Sequence, residues 1–313
     1  MNRDRLTRWL YPSLGFFLLI FSLYILNQEL GKYNLEDILQ SLALISDRQI
    51  LYAFCFTILG YLVISSYDLI AFVQLRYKLK IKRILFTTFV TYAVSNTTGF
   101  TLLIGGGIRY RFYSRWGVPA RKIAKIIALG NITFWIGLLT LSSVSFITNP
   151  VQLPNSINID RSILRLVGIL ALSTLFIYLY CCKTRKKFRI GSKIINFPRI
   201  VISISQIALF SLDWALAAAV LYSLVPDYLD KSYVGIFNIY LLTMSASILS
   251  NIPGGIGIFE TIIIFLLPKS ISTPDILSSL LVYRAIRFLV PLSTALFLLC
   301  CFELRQKLKL SKK

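Results

Sequence analysis

Eight long apolar runs alternate with short polar loops along the sequence. They cover residues 9–26, 50–75, 84–104, 123–147, 163–182, 200–225, 234–267 and 276–302. A hydrocarbon core of about 30 Å takes roughly 20 apolar residues per helix. Because 56% of the 313 residues are hydrophobic and 15% are charged, little of the chain remains for a soluble domain. The sequence therefore predicts an all-α polytopic membrane protein that forms a single transmembrane domain over residues 1–313.

The basic residues are concentrated in the loops between these runs. A formal net charge of +21 is also typical of nucleic-acid-binding proteins, because a strongly basic chain attracts any polyanion. Short basic clusters between apolar runs indicate instead loops that stay on the cytoplasmic side and face anionic headgroups. We expect membrane lipids as partners and no nucleic acid.

Residues suited to metal binding or histidine chemistry are scarce. The chain has no histidine, and none of its five cysteines has the spacing of metal ligands. We therefore expect no cofactor, no metal site and no enzymatic activity. The run at residues 9–26 lacks a small-residue cleavage site, which favours a first span over a removed signal peptide.

The run at residues 84–104 has a strongly basic loop at both ends, so both ends are predicted to be cytoplasmic. The basic residues are Arg76, Lys78, Lys80, Lys82 and Arg83 before it, and Arg109, Arg111, Arg115, Arg121, Lys122 and Lys125 after it. Such a segment is a re-entrant hairpin, which membranes tolerate where the broken backbone is buried in protein. Ser-Asn-Thr-Thr-Gly at residues 95–99 predicts the break.

The run at residues 234–267 lies between two loops predicted to be external and is broken by Ser-Asn-Ile-Pro-Gly-Gly at residues 250–255. It predicts a second hairpin, which enters from the opposite face. The result is six full transmembrane helices and two re-entrant hairpins, with both termini cytoplasmic. Residues 1–148 and 160–313 then form an inverted repeat. Ser-Asn-x-x-Gly occurs in both breaks, and Ser-x-Asp occurs at residues 66–68 and 211–213.

Five candidate site residues are charged and lie inside the apolar runs. It consists of Asp68, Asp213, Glu260, Arg284 and Arg287. A charge at the bilayer centre costs at least about 2.5–3.5 kcal/mol, so such residues normally face the bundle interior and pair. They either form a polar chamber for a charged or zwitterionic headgroup, or only pair with one another and fix helix register. Arg109 and Arg111 are predicted to reach the same chamber.

The breaks supply further candidate contacts, because broken membrane helices expose backbone N–H groups that attract anions. The candidates are Asn96, Gly99, Asn251, Pro253, Gly254, Gly255 and Gly257. The amides of Asn96 and Asn251 would bond either a headgroup or the freed backbone. The glycines at residues 105–107 would form a hinge, a headgroup contact or a helix stop.

Three strings carry a family resemblance: YAVSNTTGFTLLIGGGIRYRFY at residues 92–113, SNIPGGIGIFE at 250–260 and VYRAIRFLVPL at 282–292. They resemble the lysylphosphatidylglycerol synthase/flippase transmembrane domain family and its stand-alone members. The resemblance implies a protein of the bacterial plasma membrane that binds or translocates a phospholipid or lipid-linked substrate. It also adds Tyr283 to the candidate substrate-binding residues.

In full-length members of that family a separate cytosolic domain attaches an amino acid to the lipid. This chain ends shortly after its last apolar run, so we expect no synthase domain and, as a partner, a separate lipid-modifying enzyme. Two alternatives stay open from the residues themselves. One is a secondary transporter of a small solute, because inverted repeats with broken helices are common there. The other is a membrane enzyme with Asp213 or Glu260 as its acid or base.

Overall fold

The computed structural model describes residues 35–98, 103–148, 161–184, 187–190, 193–226, 232–249, 255–267 and 271–311. The first predicted span, at residues 9–26, lies outside the described residues. So do four of the candidate contacts in the breaks, namely Gly99, Asn251, Pro253 and Gly254.

Helices form most of the described chain, as the apolar runs predict. They are α1 (Leu35–Ala43), α2 (Asp47–Ser65), α3 (Tyr67–Gln74), α4 (Ile81–Thr98), α5 (Leu103–Arg115), α6 (Ala120–Thr148), α7 (Arg161–Thr184), α8 (Ile200–Leu224), α9 (Tyr233–Leu249), α10 (Ile258–Leu266), α11 (Thr273–Arg284) and α12 (Val290–Ser311). A π-helical turn, Ala285–Leu289, joins α11 to α12.

Within the described part of the chain, five helical segments are long and apolar enough to cross a membrane. They are Asp47–Gln74, Ala120–Thr148, Ser162–Thr184, Ile200–Leu224 and Thr273–Arg305. These coincide with all the predicted full spans except the one at residues 9–26. The prediction of a helical, multi-pass membrane protein is confirmed for these segments.

The described part of the fold is all-α as predicted, with one short exception in a loop. The basic loop after α7 contains an antiparallel hairpin of β1 (Lys187–Ile190) and β2 (Lys193–Asn196), in which Phe188 pairs with Ile195. Isoleucine and phenylalanine favour extended backbone, and they are frequent in these two strands. The charge pattern that marks this segment as a loop carries no information about its local pairing.

The two segments predicted to be re-entrant form the helix pairs α4/α5 and α9/α10, and the helices of each pair pack against each other. Residues 95–98, which were predicted to belong to the first break, are helical, because α4 continues through Asn96 to Thr98. Residues 105–107 lie inside α5, so the helix stop considered for them is wrong. A Cβ on Gly105 would lie 2.8 Å from Ser95 Oγ, which means that glycine allows α5 to approach α4 closely.

Two described contacts lie at opposite ends of the helical segment that runs from α11 to α12. At one end α1 packs on α11, where Ser278 Oγ donates a hydrogen bond to the Ile38 carbonyl at 3.1 Å. At the other end the ring of Trp116, beyond α5, lies 6.2 Å from the ring of Phe302 in α12. At these two positions, segments predicted to be external contact each other, and so do segments predicted to be near the cytoplasm.

The main core lies where α8 packs against α2, α6 and α9. Phe210 and Trp214 of α8 stack with ring centroids 5.1 Å apart. Gly137 of α6 faces Phe210 so closely that a Cβ there would lie 2.1 Å from Phe210 Cδ1. By contrast, α7 packs mainly on α6 and exposes apolar side chains such as Phe176, as expected for a helix that faces lipid.

Candidate functional site

A cavity of about 300 Å³ lies in the middle of the helix bundle. Its wall includes residues 127–135 of α6 and residues 210–217 of α8, which are central in both of these long helices. Each broken helix pair also reaches it, through Asn96 of α4 and Gly255 just before α10. The cavity therefore lies at mid-depth in the part of the fold that crosses the membrane.

Six of the predicted site residues line this cavity. They are Asn96, Arg109, Asp213, Gly255, Arg284 and Arg287. Asp68, Glu260 and Tyr283 lie one contact behind the wall, each bonded to a residue that lines it. The charged residues that the sequence places in apolar runs thus lie at one common site, and the arginines among them line the cavity.

The first ion pair joins α3 to α5, and its carboxylate is enclosed behind the wall while its arginine lines the cavity. Arg109 binds the Asp68 carboxylate in bidentate fashion, with Nε 2.9 Å from Oδ2 and Nη2 3.0 Å from Oδ1. Tyr113 donates a further hydrogen bond to Asp68 Oδ2 at 2.6 Å. Asp68 is 1% exposed. Such charge-assisted, bidentate bonds fix both side chains in one geometry.

The second ion pair joins α8 to the π-helical turn and is more open. Arg287 Nη2 donates to Asp213 Oδ1 at 3.1 Å, and Tyr67 Oη donates to Asp213 Oδ2 at 3.2 Å. The Arg287 guanidinium also lies over the ring of Tyr61, 4.8 Å from its centroid. Tyr67 belongs to α3, so this pair connects the two predicted halves of the chain.

The third ion pair, between Glu260 and Arg284, lies at the start of α10. The other Glu260 oxygen, Oε2, accepts the Gly257 backbone N–H at 2.8 Å and caps the helix. Gly255 and Gly257 have φ values of +60° and +84°, which only glycine adopts readily. The glycines of this break are therefore required for its backbone conformation.

Among the described residues, Arg111 is a predicted site residue that lies away from the cavity. Its Nη2 contacts Glu303 Oε1 of α12 at 2.6 Å, near the end of the bundle where Trp116 and Phe302 meet. On a helix, residues two positions apart point in different directions, so Arg109 and Arg111 cannot both face the bundle centre.

Two buried polar atoms at the cavity wall have no hydrogen-bond partner among the described residues. They are Ser95 Oγ and Arg287 Nη1. Ser95 is 0% exposed and Arg287 is 5% exposed. A buried donor without a partner costs about 1–3 kcal/mol, so the wall retains unused hydrogen-bonding capacity at these two atoms.

The aromatic part of the wall and one face of α6 were not predicted from the sequence. Ile127, Gly130, Asn131 and Phe134 follow one another at helical spacing and all line the cavity. Gly130 and Asn131 interrupt an apolar run, which is a signal that could have been used. The aromatic residues gave no such signal, because aromatic side chains are common throughout a membrane helix.

The chain matches the model of the family described as the lysylphosphatidylglycerol synthase TM region over residues 12–294. The chain belongs to this family. The chain is similar to protein slr0712 of Synechocystis, with 38% identity over 94% of this chain and 92% of that protein. The inner membrane protein YbhN of Escherichia coli is 30% identical over 80% of this chain and 79% of its own length.

A third relative is much longer than this chain. The phosphatidylglycerol lysyltransferase of Staphylococcus haemolyticus is 25% identical over 93% of this chain, but the match spans only 33% of that enzyme. Our chain therefore corresponds to the transmembrane portion of the lysyltransferases. It is a multi-pass membrane protein.

The arrangement can bind a ligand through charge and hydrogen bonds. Guanidinium groups offer planar sets of N–H donors that match phosphate or carboxylate oxygens. Their interaction with an anion is stronger in a buried cavity than in water, because the surroundings screen charge less.

Proposed function

We propose that the protein binds the headgroup of a phospholipid or lipid-linked substrate in the central cavity and moves it between the leaflets of a bacterial plasma membrane. The observation that carries this proposal is the position of the cavity. Buried arginines line it at mid-depth, where a charge without a partner of opposite sign is costly. A headgroup that crosses the membrane must also pass this depth.

The wall of the cavity at α6 supports a lipid over a small solute. Trp135 lines the cavity and is 53% exposed, and Ile132 on the same stretch of α6 is 45% exposed. The polar cavity therefore borders an apolar surface that would face the hydrocarbon core. A lipid needs such a lateral opening because its acyl chains stay in the bilayer while its headgroup crosses.

We also propose that residues 1–148 and 160–313 are inverted repeats, with α4/α5 and α9/α10 as re-entrant hairpins and both termini in the cytoplasm. Each half has an acid before its hairpin, Asp68 or Asp213, and that acid binds an arginine that follows the break, Arg109 or Arg287. Alternating access by movement of one repeat against the other would open the cavity to each leaflet in turn.

The proposed activity involves binding and movement without a chemical step. Asp68, Asp213 and Glu260, the acids that the sequence places in apolar runs, are each engaged by an arginine and so are poorly placed as a general base. The proposed partners are membrane lipids and, where the substrate is a modified lipid, a separate lipid-modifying enzyme. No nucleic-acid partner is proposed.

Reconstitution in liposomes with a headgroup-labelled reporter lipid tests the activity. A reductant that cannot cross the membrane quenches outer-leaflet label, so quenching beyond that half reports movement. We expect the protein to accelerate this movement. The paired variant Asp213→Asn with Arg287→Gln should abolish it, while Arg121→Gln, at an exposed position in α6, should not.

The paired variant removes both charges together, so neither is left buried alone and folding is retained. Absence of acceleration by the unchanged protein for every bacterial phospholipid tried would refute the proposed function.

A further inference from the structure

We propose that the cavity selects a phosphate-bearing headgroup of net negative charge and discriminates against a cationic, aminoacylated headgroup. This inference rests on the proposed function and specifies its substrate class. Four observations carry it: the charge of the wall, the state of its carboxylate, the occupied aromatic faces and the unpartnered donors.

The charge of the wall favours an anion. Arg109, Arg284 and Arg287 line the cavity, whereas Asp213 is the one carboxylate among the described lining residues. The partner carboxylates of Arg109 and Arg284 lie behind the wall. A ligand in the cavity therefore meets more positive than negative charge at close range, and the low polarity of the site increases the difference.

The wall offers little to an ammonium group. Both oxygens of Asp213 are already engaged, one by Tyr67 and the other by Arg287. A lysyl headgroup would have to displace one of these donors and would then sit beside a buried guanidinium of the same charge. Like charges brought together in a buried site cost several kcal/mol.

Aromatic faces are the other common way to bind a cation, and arginines of the protein already occupy two of the aromatic rings in the wall. The Arg109 guanidinium lies 5.0 Å from the centroid of Tyr92, and that of Arg284 lies 5.6 Å from the centroid of Phe259. Both rings line the cavity. Because these π faces already hold cations of the protein, they are poor sites for a substrate ammonium.

The unpartnered donors fit phosphate oxygens. Ser95 Oγ and Arg287 Nη1 line or border the same cavity and lack partners among the described residues. A phosphate group has several acceptor oxygens and would satisfy both donors. Because a lysyl headgroup carries the same phosphate, these donors favour a phosphate-bearing headgroup in general. The discrimination against the lysyl lipid follows from the charge of the wall and the engaged carboxylate of Asp213. The same chemistry would also hold free phosphate, so an experiment must separate the two sources.

The test measures binding to the full chain in neutral detergent, by native mass spectrometry and by the shift in unfolding temperature. The probes are phosphatidylglycerol, lysyl-phosphatidylglycerol and inorganic phosphate. We expect phosphatidylglycerol to bind at least about tenfold more tightly than its lysyl derivative, a difference of about 1.4 kcal/mol. Equal binding, or preference for the lysyl lipid, would overturn the inference.

Inorganic phosphate distinguishes the source of the ligand. Weak competition at concentrations far above that of the lipid supports a lipid headgroup. Displacement of phosphatidylglycerol by an equal concentration of inorganic phosphate would assign the site to free phosphate and overturn the headgroup inference.

Two variants test the unpartnered donor. Ser95→Ala removes a hydroxyl that has no partner, so the unfolding temperature should not fall, while phosphatidylglycerol affinity should fall about three- to tenfold. Thr57→Val is the matched control, because Thr57 Oγ1 is also buried and without a described partner but does not line the cavity. A loss of affinity in Thr57→Val equal to that in Ser95→Ala would contradict the assignment.

The reporter-lipid assay separates this inference from the proposed function. Movement of labelled lipids without regard to headgroup charge would overturn the charge selection and leave translocation intact. Absence of movement for all lipids would refute translocation, while a preference for phosphatidylglycerol in the binding assay would still support the anion site.

Discussion

The two ion pairs that follow the same pattern in the two halves differ in how completely their carboxylates are bonded. Asp68 accepts a bidentate arginine and a tyrosine hydroxyl, and it lies behind the cavity wall. Asp213 lines the cavity, and Arg287 binds it through one nitrogen while Nη1 has no described partner. One pair is closed and the other retains capacity to bind.

This difference separates the two interpretations that the sequence left open. A closed pair such as Asp68–Arg109 does what a register-fixing contact needs, because every strong bond is made inside the protein. An open pair at a cavity wall keeps bonding capacity for a ligand. The structural role and the binding role are thus divided between related positions of the two halves.

The largest expected effect is on stability when the closed pair is broken. Asp68→Asn keeps the side chain's size but leaves the Arg109 charge without compensation, so we expect a loss of about 3–5 kcal/mol in the free energy of unfolding. Asp213→Asn also leaves a buried arginine uncompensated, but it loses fewer hydrogen bonds and the site borders the cavity, so we expect a smaller loss of about 1–3 kcal/mol. Denaturant unfolding in detergent micelles measures both.

The exposed acid Asp37 of α1 supplies the control, and Asp37→Asn should change stability by no more than about 0.5 kcal/mol. A greater loss for Asp213→Asn than for Asp68→Asn would reverse the assignment of the two roles.

A smaller effect is expected where α5 packs against α4 beside the closed pair. A Cβ on Gly105 would lie 2.8 Å from Ser95 Oγ and 3.5 Å from Arg109 Nη1. Gly105→Ala should therefore destabilise the protein by about 1–3 kcal/mol through overpacking. The adjacent Gly106 meets only Ile127 Cδ1, at 3.6 Å, so Gly106→Ala should stabilise α5 by about 0.5–1 kcal/mol.

Thermal unfolding of the two alanine variants side by side checks this difference in sign. If both variants shifted the unfolding temperature in the same direction, the close approach of α5 to α4 would not be the reason for glycine at position 105.

The sequence predicted the parts of this fold that depend on the cost of polar groups in lipid. Hydropathy located the spans, and the expense of buried charge brought Asp213, Glu260, Arg284 and Arg287 into one site. Hydropathy does not register local backbone geometry, which explains the errors. The π-helical turn that carries Arg287, the continuation of α4 past Asn96 and the β-hairpin after α7 all depend on tertiary packing or local pairing.

The sequence also could not predict which arginine pairs with which acid. Arg109 and Arg111 are equally basic and only two residues apart, but α5 turns one toward Asp68 and the other toward Glu303. Which arginine reaches the cavity depends on the rotation of α5 against α4. A close contact at Gly105 fixes that rotation. The amino-acid composition does not predict this contact.

The smallest expected effect is that of substituting Arg111, whose ion pair with Glu303 is partly exposed, unlike the two buried pairs. Arg111 and Glu303 have side chains that are 20% and 25% exposed, so water screens their attraction and part of it is offset by side-chain entropy. Arg111→Gln should change the free energy of unfolding by about 0–1 kcal/mol. Reporter-lipid movement should stay close to that of the unchanged protein, because no cavity contact is lost. A severalfold loss of movement at unchanged stability would place Arg111 on the substrate's path.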